Sequence, residues 1–231
     1  MSIKENLSKI KEQIADDKVK IIAVTKYASD EETYEAYKLG IQDFGESYAQ
    51  DALERISRKI ADENFQNKVN WHFVGRLQKN KAKYVVGSFS LIHSVDSFEL
   101  ANLINRLAFE KNIVQDILLQ VNISGEISKA GFKEDDLNQV FDQLKDLTNI
   151  KILGLMTMAP NTEDEKLIEN SFKKLKVLRD SLNEKYSILL SELSMGMSND
   201  YRIAVKCGAT MVRLGRAIFK DFLLRTNLEV K

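Results

Sequence analysis

The sequence predicts a single (β/α)8 TIM barrel with an extra N-terminal helix ahead of its first strand. Three observations predict it. Eight short apolar runs alternate along the 231 residues with longer stretches of helical period. The runs mostly lack polar alternation, as strands covered on both faces do. No stretch rich in proline, glycine or serine divides the chain, so one domain over residues 1–231 is expected. The competing class, a doubly wound sheet, usually has fewer strands and often marks its nucleotide site with a glycine-rich first turn. Here the first turn reads TKYASD and contains no glycine.

The amphipathic residues 3–14 form the expected extra helix. The predicted strands are residues 20–25 (KIIAVT), 42–45 (QDFG), 70–75 (NWHFVG) and 90–95 (SLIHSV). They continue with 116–122 (DILLQVN), 152–157 (ILGLMT), 191–195 (SELSM) and 210–214 (TMVRL). QDFG and SELSM are too short to identify alone, and their place in the series identifies them. Between the strands, residues 31–39 carry Tyr34, Tyr37 and Lys38 in helical register, with Gly40 suited to end the helix. Residues 97–109 put Phe98, Leu100, Ala101, Ile104 and Ala108 on one stripe, and either Asp96 or Ser97 can cap them. Residues 135–147, 163–185 and 201–207 complete the helical set.

Composition narrows the function classes. Lys and Arg total 34, and so do Asp and Glu, so the net charge is zero. That balance argues against an electrostatic nucleic-acid or anionic-membrane binder. The one cysteine, Cys207, excludes an internal disulfide framework and a Cys-rich zinc site. Two histidines, His72 and His93, leave little for a metal centre, and as barrel residues they read first as hydrogen-bonded core groups. The start is charged and amphipathic, and no run of 18 apolar residues occurs. A cytoplasmic protein is expected.

In a barrel, function sits at the C-terminal strand ends. Lys26 follows the first strand, where a partly desolvated amine would suit Schiff-base chemistry. After the seventh strand comes SMGMSND (194–200), in which Gly196 allows a tight turn and Ser198 can cap the next helix. The eighth strand ends in RLGR (213–216), where Gly215 admits a ligand to the backbone. Barrels frequently bind phosphate with the loops after strands seven and eight. An amine and a phosphate cradle therefore converge on one mouth. Pyridoxal 5′-phosphate (PLP) meets both demands, and so does a phosphosugar handled by a lysine Schiff base, for which Glu46 is the nearest acid/base.

Seven blocks carry a family resemblance: AVTKY (23–27), FGESYAQ (44–50), WHFVGRLQKNKAK (71–83), VNISGEISKAGF (121–132), GLMTMAP (154–160), ELSMGMSND (192–200) and VRLGRAIF (212–219). In this order, over nearly the whole chain, they resemble the pyridoxal phosphate homeostasis protein family. The resemblance implies a barrel like the alanine racemase N-terminal domain, with PLP as a Schiff base on Lys26. Ser198 and the backbone around Gly215 and Arg216 match the family's phosphate cradle, and Arg213 matches an arginine near the pyridine nitrogen. Ser47 stands where the family usually has asparagine, which shortens the reach of that ring contact. Lys220 stands where glycine is usual.

An arginine at the ring nitrogen keeps that nitrogen unprotonated and weakens PLP as an electron sink. Alanine racemase adds a tyrosine from another domain, and this sequence shows no such domain. The implied role is to bind, buffer and deliver PLP, with effects on vitamin B6 and amino-acid balance. Apo PLP enzymes are the implied recipients and the monomer is the expected state. The alternative is a PLP-dependent enzyme of low activity, such as a racemase.

Overall fold

The computed structural model describes residues 2–50, 53–54, 65, 68–126 and 129–219. Its strands are β1 (Lys20–Val24), β2 (Asp43–Glu46), β3 (Asn70–Phe73), β4 (Leu91–Val95), β5 (Gln115–Gln120), β6 (Ile150–Met156), β7 (Glu192–Ser194) and β8 (Met211–Leu214). Each pairs with the next, and β8 returns to β1 in parallel, from Lys20 opposite Met211 to Ala23 opposite Leu214. The barrel is closed, as the strand count predicts.

Seven α-helices are found among the described residues: α1 (Ile3–Ile14), α2 (Asp30–Lys38), α3 (Ala82–Val85), α4 (Phe98–Glu110), α5 (Glu134–Lys145), α6 (Glu165–Tyr186) and α7 (Tyr201–Lys206). Local chemistry sets their ends. Ser2 with Glu5 and Ser29 with Glu32 form capping boxes on α1 and α2, each satisfying otherwise free N–H groups. Ser97, rather than Asp96, caps α4 by accepting from the Leu100 N–H. Asp164 accepts from the Lys166 and Leu167 N–H groups, so α6 starts two residues later than the periodicity suggests. The helix predicted to run to residue 147 ends at Lys145, and Leu147 N–H turns back to the Leu144 carbonyl. Gly40 has φ +92°, the left-handed conformation expected after α2. The second strand runs one residue later than predicted because Val74 N–H still pairs with the Glu46 carbonyl. The sequence reading at Lys220 lies outside the described residues.

Strand alternation sorts side chains into two layers. Ala23, Phe44, Ile92, Leu119, Leu193 and Val212 point outward and join Leu100, Ile104, Phe141, Phe172 and Leu178 of the helices in one large core. Ile22, Leu91, Leu118, Met156 and Met211 come from five different strands and form a separate cluster with no helical member, which is the barrel interior. Among the described residues no helix is long and apolar enough to cross a membrane.

Candidate functional site

Every residue assigned from the sequence to the ligand site lies at the C-terminal end of one of four neighbouring strands. In barrel order these are β7, β8, β1 and β2. Ser198 follows β7; Arg213, Gly215 and Arg216 are on or just after β8; Lys26 follows β1; Ser47 follows β2. The pairing of β8 with β1 joins the two central positions. A Cβ built on Gly215 would lie 3.3 Å from the Val24 carbonyl oxygen, two residues before Lys26.

Lys26 sits in an exposed turn with its Nζ 4.6 Å from the centre of the Tyr27 ring. The residue is therefore exposed rather than partly desolvated as its strand position suggests, because β1 ends at Val24 and the chain turns at Lys26. Thr25 is buried and donates from its hydroxyl to the Glu46 carboxylate at 2.5 Å, and Glu46 is itself buried. The acid/base candidate thus faces a threonine.

The loop after β7 is a tight turn. Gly196 has φ +93°, and a Cβ there would lie 2.6 Å from that of Ala204, so the fold itself demands glycine. The Gly196 carbonyl accepts from the Arg213 N–H at 2.9 Å, tying this loop to β8. The Asp200 carboxylate accepts from the Met197 N–H at 2.5 Å. Burial pushes that carboxyl above its usual range, against the opposing pull of the Met197 N–H and the Arg213 charge. Ser198 does not cap α7 as predicted; α7 has no side-chain cap at all. Its Oγ instead accepts from the Ala217 N–H at 3.1 Å, because the loop folds toward β8 rather than along the helix. This bond joins the two phosphate-loop candidates. Gly215 differs from Gly196 in degree: its φ is not left-handed, and a Cβ there would press on the Val24 carbonyl oxygen at 3.3 Å, a tight contact but not an outright clash.

Arg213 is buried, with 5% of its surface exposed. Its Nη1 donates to Ser194 Oγ at 2.6 Å and its Nη2 to the Thr157 carbonyl at 2.9 Å. A guanidinium has five N–H donors, so three are not taken up by protein groups among the described residues. Burial lowers its pKa to about 10, partly offset by Asp200, so it stays charged at neutral pH.

Two clefts flank the mouth. One, of about 390 Å³, lies beside α1 and includes Ser198, Arg216, Lys9 and Arg202. The other, of about 450 Å³, lies on the β2–β3 side and includes Ser47, Tyr48 and Arg76. Ser47 is held there by close packing: a Cβ on Gly75 would lie 2.0 Å from the Ser47 carbonyl oxygen.

The two histidines are core groups, as expected, but they are joined. His72 Nδ1 and His93 Nε2 are 2.9 Å apart, His72 Nε2 is 3.0 Å from Asp43 Oδ1, and His93 Nδ1 is 2.8 Å from Ser194 Oγ. The sequence reading missed Asp43, Ser194 and the Thr157 carbonyl as parts of this neighbourhood. The one available signal was polarity at inward positions of apolar strands. Cys207 is buried, as anticipated.

A closed barrel with a lysine, two tied loops and a buried guanidinium at adjacent strand ends defines a class. The family model described as "Alanine racemase, N-terminal domain" matches residues 1–221. An alanine racemase from Clostridium difficile shares the fold at a TM-score of 0.75 with 18% identity, over 96% of this chain and 58% of that one. Within this class, the chain belongs to the pyridoxal phosphate homeostasis protein family. It is 43% identical to the member from Synechocystis, covering 89% of this chain and 92% of that protein. It is 38% identical to the member from Aquifex aeolicus, covering 96% and 99%. PipY of Synechococcus elongatus, solved with PLP bound, superposes at a TM-score of 0.85 with 34% identity, over 94% of this chain and all of that one.

Proposed function

We propose that this chain binds PLP at the C-terminal mouth of its barrel and serves PLP homeostasis, holding the cofactor, buffering it and releasing it to apo-enzymes. The observation that carries this reading is the run of four adjacent strand ends bearing an amine, two loops tied by the Ala217–Ser198 bond and a buried cation. Bound PLP supplies an aldehyde that condenses with a primary amine. Lys26 offers that amine on an exposed turn beside β8. Ser198 and the backbone at residues 215–217 hold the phosphate, with Arg216 adding charge at the rim. Arg213 aims its unspent donors at the ring nitrogen and keeps a proton off it. Ser47 approaches the ring from β2. The tied loops at Ser198 and Ala217 and the spare donors of Arg213 are what the residues present offer to such a ligand.

This arrangement favours retention over turnover, since a ring nitrogen facing a charged guanidinium is a poor electron sink. Action as a monomer in the cytoplasm belongs to the same reading. The test is an absorbance spectrum of protein mixed with PLP, followed by borohydride reduction and peptide mapping. A yellow protein labelled on the Lys26 peptide is expected. A colourless protein, or label mainly on another lysine, would overturn the assignment.

A further inference from the structure

The barrel interior carries a polar chain that the proposed binding site does not itself use. Along it, donors and acceptors can be assigned in one direction only if both histidines are neutral. Asp43 as a carboxylate can only accept, so His72 Nε2 carries a hydrogen. His72 Nδ1 is then an acceptor, and His93 Nε2 must donate to it. His93 Nδ1 is then an acceptor, and the Ser194 hydroxyl donates to it. Ser194 Oγ in turn accepts from Arg213 Nη1. Each donor in the series finds one acceptor, from a cation at one end to an anion at the other.

We propose that Asp43, His72, His93 and Ser194 are positioning residues for Arg213, and that together they couple proton uptake at the N-terminal end of the barrel to the hold on the ligand at its mouth. The ligand half of this inference rests on the reading of the mouth as a PLP site. The geometry supports the coupling. Asp43 begins β2 with its side chain 19% exposed, whereas His93 and Ser194 are fully buried and Arg213 nearly so. Among the described residues no carboxylate forms an ion pair with Arg213; the Asp200 charge acts on it from farther off, and the hydrogen-bonded chain that starts at its Nη1 ends on the Asp43 carboxylate. The groups acting on His93 come from several strands: Lys20 on β1, Asp43 through His72 on β2 and β3, Ser194 on β7 and Arg213 on β8. Burial first, then the charges of His72, Arg213 and Lys20, push His93 well below the usual imidazole value. Burial raises the Asp43 carboxyl, but the His72 bond and charge, Asn70 and Lys20 outweigh it and hold it below the usual value.

One added proton reverses the chain. The His93 Nε2 hydrogen passes to His72 Nδ1, which leaves His72 with a proton on both nitrogens and the positive charge, and the added proton is taken up on His93 Nδ1. His93 then carries hydrogen on Nδ1 and donates to Ser194 Oγ, which now accepts from both His93 and Arg213. The Ser194 hydroxyl hydrogen loses its acceptor in a buried site. Acidification thus disturbs the anchor of Arg213 without any histidine touching the ligand.

The experiment has two arms. Nitrogen-15 NMR of the imidazoles in ligand-free protein reads tautomers and titration directly. Both rings are expected to be neutral with Nε2–H at pH 8 and to change together on acidification. Rings that titrate separately, or that carry Nδ1–H at pH 8, would overturn the chain. In the second arm, PLP release rate and visible absorbance are followed against pH. Ser194→Ala should speed release by about 2- to 10-fold, a part of the worth of its hydrogen bond to the charged Arg213, because the loss reaches the ligand only through that side chain, and flatten the pH profile. Asp43→Asn, which keeps an acceptor for His72 but removes the charge, should shift that profile while Lys26 remains the labelled lysine. Release rates and profiles matching wild type in both variants would overturn the coupling. A wild-type protein that bound no PLP would overturn the site reading and the ligand half with it, while the NMR arm would still decide the chain.

Discussion

Replacing Ser198 with alanine separates a phosphate cradle from an ordinary turn. Ser198 Oγ sits half-buried and accepts from the Ala217 N–H at 3.1 Å, so it joins the loops after β7 and β8. Ser198→Ala removes that acceptor and leaves one N–H near solvent. The cost to folding is about 0.5–1.5 kcal/mol, the range for a single neutral hydrogen bond. In the proposed site the cost to PLP is larger, because the same hydroxyl would also face a charged phosphate. A hydrogen bond to a charged group brings the loss to about 1–3 kcal/mol, which is about 5- to 150-fold in Kd. Pyridoxal, which lacks the phosphate, should bind wild type and variant nearly equally. The assay is an absorbance titration with both ligands at one ionic strength, alongside urea melts of both proteins. Equal losses for PLP and pyridoxal would place Ser198 outside the cradle. An unchanged PLP affinity would refute the argument altogether.

Lys26→Ala should abolish the yellow absorbance and the borohydride-trapped label, while phosphate contacts leave weak reversible binding measurable by dialysis. The two loop glycines should behave oppositely. Gly196→Ala forces a side chain into a left-handed conformation against Ala204 and should destabilise the fold by more than about 1 kcal/mol in urea melts, whereas Gly215→Ala, which only crowds the Val24 carbonyl oxygen at 3.3 Å, should cost less stability than Gly196→Ala and more PLP affinity. The Asp43 carboxyl is lower in the folded chain than in the unfolded one, so it stabilises above the unfolded value of about 3.9 and loses this as pH falls through its folded value. The stability gap between wild type and Asp43→Asn should therefore be full at pH 7 and shrink below about pH 4. Incubation with the common L- and D-amino acids should give far less than the order of 1–10 turnovers per second of ordinary enzymes; turnover in that range that vanished with Lys26→Ala would make this an enzyme.

The sequence by itself determined the barrel and the identity of the mouth residues, because both depend on local order. Strand and helix periods are written in neighbouring residues, and strand ends follow from them, so Lys26, Ser198 and Gly215 could be placed before any contact was known. Closure of β8 on β1 then made them neighbours. Tertiary structure decided what each side chain touches. Ser198 looked like a helix cap because it precedes α7, yet its partner is Ala217, 19 residues away on another loop. Lys26 looked desolvated from its strand, yet it lies exposed in the turn after β1. His93 and Ser194 are 101 residues apart and meet only because inward positions on β4 and β7 face each other across the barrel. Periodicity fixes which face a residue occupies. Only the closed register of eight strands fixes which residue lies opposite, and a proton chain through the interior depends on that register.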